Sequence, residues 1–170
     1  PPTSVSAADG ITVTTSLTAT GLLTLAADID QTGTGTMTVA NGATVATGST
    51  LTITAGDLDL PGTGALTAPA IFVTNSRQGR SVGLGATAGD LTLSGAELQN
   101  VTGSLTLGGT PEGFVPAGAI TVDGLTAAHS ANLTGLTLRA HAPGGTVTFA
   151  TTPSTLSPPA LVEATTDITV

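Results

Sequence analysis

One three-residue unit keeps returning along this chain: an aliphatic residue, a threonine, then another large apolar residue. It stands at Ile11-Thr12-Val13, Leu23-Thr24-Leu25, Met37-Thr38-Val39, Leu51-Thr52-Ile53 and Leu91-Thr92-Leu93. It continues at Leu105-Thr106-Leu107, Ile120-Thr121-Val122, Leu136-Thr137-Leu138, Val147-Thr148-Phe149 and Ile168-Thr169-Val170. Leu58-Asp59-Leu60 and Ile71-Phe72-Val73 are variants of it. Alternation of apolar and polar residues is the period of a β-strand, with the two flanking residues on one face and the threonine on the other. Threonine and β-branched aliphatics suit a half-buried pleated surface. Each unit is bounded by Gly, Ala, Asn, Asp or Pro within a few residues, and these supply the turns. Helical patterning is nearly absent. The best stretch, 96–101, is too short to stand alone and reads equally well as strand or turn.

The threonine centres are unevenly spaced. The closest neighbours are Thr137 and Thr148, and the widest gap, from Thr52 to Thr92, holds the two variant units. Short strands at such intervals fit a sandwich, a barrel or a solenoid. Strand cores of three residues are short even for an edge strand. Large core-fillers are also scarce, with three Phe and no Trp or Tyr in 170 residues. The expected fold is all-β, a parallel β-helix (β-solenoid), with an antiparallel β-sandwich as the alternative. The direction of strand pairing decides between them.

The two ends of the chain look alike. Residues 1–13 read PPTSVSAADGITV and residues 158–170 read PPALVEATTDITV, with seven of thirteen positions matching at an offset of 157. A long internal period is the mark of stacked, quasi-one-dimensional proteins. Residues 1–157 are therefore expected to form one solenoid repeat module, and 158–170 to start the next copy. With roughly 20–25 residues per coil, such a module has about seven coils and, at about 4.8 Å per coil, a rise of roughly 34 Å.

Composition narrows the function. Charged residues make up 8% of the chain, against about 25% in a typical globular domain. An apolar share of 39% argues against classical disorder. The net charge of −8 comes from eleven carboxylates and three Arg, with no Lys. Nucleic-acid binding needs a basic footprint and is set aside. Charge attraction to anionic lipid falls for the same reason. No apolar run approaches the roughly 18 residues of a membrane helix, so membrane insertion is not expected, and no basic leader precedes an apolar segment. The absence of Cys leaves the compartment unmarked.

One ordered series goes further. It comprises Ser81-Val82-Gly83-Leu84-Gly85, Gly89-Asp90-Leu91-Thr92-Leu93, Ala96-Glu97-Leu98-Gln99-Asn100-Val101, Leu105-Thr106-Leu107-Gly108 and Gly118-Ala119-Ile120-Thr121-Val122. This series resembles the repeats of filamentous-haemagglutinin-like bacterial exoproteins, best over residues 71–125. The resemblance implies a right-handed parallel β-helix, secretion by a two-partner route, and work as an adhesin or surface fibre. The expected function is a structural or adhesive module of a long extracellular filament on the cell surface. Its expected partners are neighbouring copies of itself and host or cell-surface glycans. The alternative is a polysaccharide-binding or polysaccharide-degrading β-helix, against which the lack of Lys, Trp and Tyr counts.

Candidate chemistry is sparse. His129 and His141 could be drawn into a Ser/His/Asp set on paper, but triads are defined by geometry, and both read as solvated turn residues. Asp28 with Asp30, and Asp57 with Asp59, place paired carboxylates at strand spacing, where they could hold Ca²⁺ or simply solubilise the outer face. Arg77 and Arg80 could meet an anionic sugar or a neighbouring repeat, or satisfy local acceptors. Asn100-Val-Thr102 and Asn132-Leu-Thr134 match the glycosylation sequon. Thr-rich runs such as Thr32-Gly-Thr34-Gly-Thr36-Met-Thr38 look like the flat arrays of ice-binding solenoids, but the uneven spacing of the units is expected to break the register. No catalytic residue and no cofactor is expected.

Overall fold

The computed structural model describes residues 1–109 and 115–170. Residues 110–114, which fall inside the 71–125 stretch, lie outside the described residues. Before the chain's midpoint stand β1 (Thr3–Ser6), β2 (Gly10–Val13), β3 (Leu17–Ala19), β4 (Leu23–Ala26), β5 (Thr36–Val39), β6 (Thr44–Thr47), β7 (Thr50–Ala55), β8 (Asp57–Asp59) and β9 (Ala65–Asn75). Then come β10 (Val82–Gly85), β11 (Leu91–Leu93), the single helical turn α1 (Gly95–Leu98) and β12 (Val101–Leu107). The last strands are β13 (Ala119–Asp123), β14 (Leu133–Ala140), β15 (Thr146–Phe149), β16 (Ala160–Ala164) and β17 (Asp167–Thr169).

Every pairing among the described residues is parallel. The fold is a parallel β-helix, and the antiparallel sandwich is ruled out. The largest sheet runs β1-β4-β7-β9-β12-β14-β16, with a short flank in which β3 pairs β6 and β6 pairs β9. Two more sheets, β2-β5-β8 and β11-β10-β13-β15-β17, share its core.

The pleat explains why the threonine unit suffices. Residues i and i+2 of a strand point to one side, so the two apolar flanks enter the core and the threonine leaves it. Stacked in register, the flanks form two continuous columns. One contains Leu23, Leu51, Ile71, Leu105 and Leu136, and the other Leu25, Ile53, Val73, Leu107 and Leu138, each 1% exposed or less. Full burial of each such side chain contributes about 1.5–3 kcal/mol.

The register also measures the coils. From Thr3 the partners run Leu23, Leu51, Ile71, Leu105, Leu136 and Ala160, one for each successive coil. The coils differ in length: the steps from Thr3 to Leu23 and from Leu51 to Ile71 are the shortest, and that from Ile71 to Leu105 is the longest. The strands hold a common register and the turns absorb the differences. Two sequence-based expectations change as a result. There are six coil steps rather than seven, giving a rise of about 29 Å at about 4.8 Å each. Irregular spacing also does not break threonine alignment, since Thr24 stands on Thr52, Thr106 on Thr137, and Thr121 on Thr148 and Thr169. What interrupts the outward column is Phe72, placed between Thr52 and Thr106.

Corners are made by residues without side-chain bulk. In β12 the register slips between Thr102 and Ser104. Gly103 there has φ +128, and a Cβ on it would lie 1.8 Å from the Ala68 carbonyl oxygen. Only glycine permits that bulge.

Among the described residues, stacking order departs from chain order at β11. β11 follows β10 in sequence but lies at the outer end of its sheet, beside β8. The chain climbs to β10 and steps back down to β11, with Val82 paired to Leu91. α1 follows, and it carries a reciprocal cap in which the Ser94 hydroxyl accepts from the Glu97 amide and Glu97 accepts from the Ser94 amide. That Ser-x-x-Glu spacing is a capping box visible in the sequence, and it marks a helical turn at 95–98 inside the ambiguous stretch.

Candidate functional site

Asp28 and Asp30 do not share a strand. Both sit in the turn after β4, where Asp28 is 2% exposed and Asp30 is exposed. The Asp28 carboxylate accepts from the Gly33 amide at 2.7 Å, the Thr32 amide at 3.2 Å and the Thr32 hydroxyl at 3.0 Å. It also accepts from the Ser76 hydroxyl, two coils further along the stack. Burial alone raises its pKa, but the hydrogen bonds, first from Ser76 and then from Gly33 and Thr32, outweigh burial and bring it down to about 2. Asp30 accepts weakly from Thr32 at 3.3 and 3.4 Å. The arrangement is a buried anion satisfied by protein donors that pins turns of different coils together.

Asp57 and Asp59 do share an outward face of β8, around the buried Leu58. Asp57 sits at the seam between β8 and β11, which the backbone ladder does not bridge. Its Oδ1 accepts from the Leu58 amide at 2.9 Å, the Thr92 amide at 2.7 Å and the Thr92 hydroxyl at 3.2 Å. Glu97 does the same one step along, accepting from the Leu60 amide at 3.0 Å and the Ser94 amide at 2.8 Å. The two carboxylates stand in for the carbonyls of a missing ladder. Asp59 makes no such contact among the described residues. Its pKa is raised by burial and by the negative charges of Glu97 and Asp57. Among the described residues no group of three His, Asp or Glu gathers to hold a metal ion.

Arg77 and Arg80 part company. Arg77 is exposed. Arg80 pairs with Asp90, and its guanidinium covers Gly33, where a Cβ would lie 2.2 Å from Nη2. The Ser81 amide and hydroxyl also donate to Asp90. Asp90 is held below the usual carboxylate range, first by the Ser81 amide and then, against burial, by the Ser81 hydroxyl and Arg80.

His129 occupies a turn, accepts from the Thr126 amide at 3.2 Å, and lies against Gly95. His141 is exposed, with Nε2 3.4 Å from Glu163 Oε2. The two sequon asparagines stitch neighbouring coils, Asn100 donating to the Gly62 carbonyl at 3.0 Å and Asn132 to the Gln99 carbonyl at 2.6 Å. Asn41 does the same through Thr63, whose amide donates to it at 3.0 Å.

The remaining surface is the pair of end coils. Among the described residues β1 has a partner strand only on its β4 side and β16 only on its β14 side. Following paired residues up the large sheet carries Thr3 to Ala160 and Val5 to Val162, a displacement of 157. That is the offset at which residues 1–13 match residues 158–170. Val5 and Val162 top and tail the same inward column. Among the described residues the exposed large apolar side chains are Val5 in the first coil, Leu22 and Ile29 beside β4 in the second, and Leu161, Ile168 and Val170 in the last. Val13, paired to Val39, is 9% exposed, while its counterpart Val170 is 98% exposed beside a groove lined by Phe149, Pro153 and Ser154. Sequence reading found the matching segments but not the exposed apolar rim.

Comparison with family models, with curated protein sequences and with solved structures gives no match.

Proposed function

We propose that this chain is a structural repeat module of a long extracellular bacterial filament or surface exoprotein. It works by length, by end-to-end stacking on identical neighbours, and by contact along its sides with host or cell-surface glycans. One observation carries this reading: the sequence repeats at an offset of 157, and the stack brings a strand back to an equivalent position at the same offset. The matching residues include those on the core side, Val5 with Val162, Ile11 with Ile168 and Val13 with Val170, while outward Ser4 and Ser6 are replaced by Leu161 and Glu163. A repeat architecture needs that pattern, because each repeat packs on its neighbours and must present the same core to both. The haemagglutinin-like series supports the surface location and the adhesive role. Immunogold labelling of intact cells with antibody to this chain tests the reading. Label strung along surface fibres is expected, and label confined to the cell interior contradicts it.

A further inference from the structure

The end coils fix not only that copies stack but how. Resting on the repeat-module reading, we propose that the free edge of β16–β17 is the seat for residues 14–39 of a second copy of this chain, in a register displaced by 157. The coil Pro158–Val170 then serves as that copy's first coil and replaces its Pro1–Val13.

The existing first coil shows which bonds such a junction makes. The Thr3 amide donates to the Leu22 carbonyl at 2.8 Å and the Ala7 amide to the Ala26 carbonyl at 2.9 Å, so alternate amides of β1 face the coil above. Their counterparts are Ala160, Val162 and Ala164. The intervening direction is already used in the last coil, where the Leu136 amide donates to the Pro159 carbonyl and the Thr165 amide to the Ala140 carbonyl, both at 3.1 Å. Ala160, Val162 and Ala164 therefore present their amides on the free edge. Leu22 and Ala26 of the second copy supply the acceptors, Leu25 stacks on Val162, and Met37 and Val39 stack on Ile168 and Val170. Ile168 and Val170 are covered in the process, while Leu161 stays on the outer face. The edge strands β16 and β17 carry Glu163 and Asp167 but no Lys, the residue most used to guard a free edge.

The register has a sharp consequence. The shortest coils in the stack run from Thr3 to Leu23 and from Leu51 to Ile71. A fusion of residues 1–170 to 14–170 keeps the period of 157. A fusion of residues 1–170 to 1–170 inserts Pro1–Val13 at the junction, and that segment is shorter than either of those coils, so it cannot complete one. The experiment compares both fusions with the single chain by denaturant unfolding and by amide exchange. The in-phase fusion is expected to unfold in one transition, at a higher midpoint than the single chain, with a denaturant slope near twice as steep, since that slope scales with the surface exposed. The Ala160, Val162 and Ala164 amides are expected to exchange at least about tenfold more slowly in it than in the single chain. The out-of-phase fusion keeps the midpoint and exchange of the single chain. Equal behaviour of the two fusions, or an in-phase fusion that melts below the single chain, overturns the register. The labelling experiment is independent of this one, so a correct register without surface fibres and surface fibres without this register are separate outcomes.

Discussion

Arg139 Nε donates to Glu163 Oε2 at 2.6 Å and so ties the last coil to the coil beneath it. The Arg139 side chain is 17% exposed and that of Glu163 32%, so solvent screens the pair only in part. In the first coil the counterpart of Glu163 is Ser6, which stands beside Ala26. Glu163→Ser is expected to destabilise the chain by about 0.5–1 kcal/mol, the range of a partly exposed ion pair. Chemical denaturation checks it, and the difference shrinks in roughly 1 M salt, as screening predicts.

Asp28 makes the fold sensitive to acid. Its folded pKa of about 2 lies below the ordinary 3.8, so its ionised form stabilises the native state. That stabilisation is complete above the ordinary value and is lost as the pH falls toward 2. Asp28→Asn is expected to cost about 2 kcal/mol at neutral pH. Its melting temperature then changes less than the wild type's between pH 4 and pH 2, roughly the interval over which the wild-type carboxylate titrates. A parallel pH dependence in the two proteins excludes this role.

Asp59 acts in the opposite sense. Its pKa is raised, so its ionised form is disfavoured in the fold, and the penalty disappears as the pH falls through the raised value. Asp59→Asn is expected to raise the denaturation midpoint at neutral pH, by on the order of a few tenths of a kcal/mol. The gain vanishes in acid, where the wild-type carboxyl is neutral.

Asp57→Ala removes the acceptor that spans the seam between β8 and β11. It leaves the Leu58 and Thr92 amides without their partner. The expected loss is about 1–3 kcal/mol, with faster exchange at Thr92. Asp57→Asn keeps a carbonyl oxygen in place and is expected to lose less.

Much of this fold was legible because the pleat has a period of two. Units such as Leu23-Thr24-Leu25 and Leu136-Thr137-Leu138 show their orientation in three residues, and both lie in strands with the leucines buried. Strands that break the unit were not legible. β10 has Gly83 where the unit has threonine, β6 puts Ala46 between Val45 and Thr47, and β16 puts Leu161 on the outer side. The backward step from β10 to β11 could not be read either, because which coil lies next to β8 is set by packing rather than by local pattern. The role of Asp57 depends on that neighbour, so it was hidden too. Asp28 shows the same limit in another form. Its paired spacing with Asp30 suggested a strand face, whereas its principal partner, Ser76, stands far along the chain and reaches it only through the stack.

The axial repeat of the proposed fibre tests the central claim most directly. Fibre diffraction or electron microscopy of that assembly is expected to show a module period of about 29 Å, built from six spacings of about 4.8 Å. A compact particle, or a fibre whose axial period is unrelated to six coils, contradicts it.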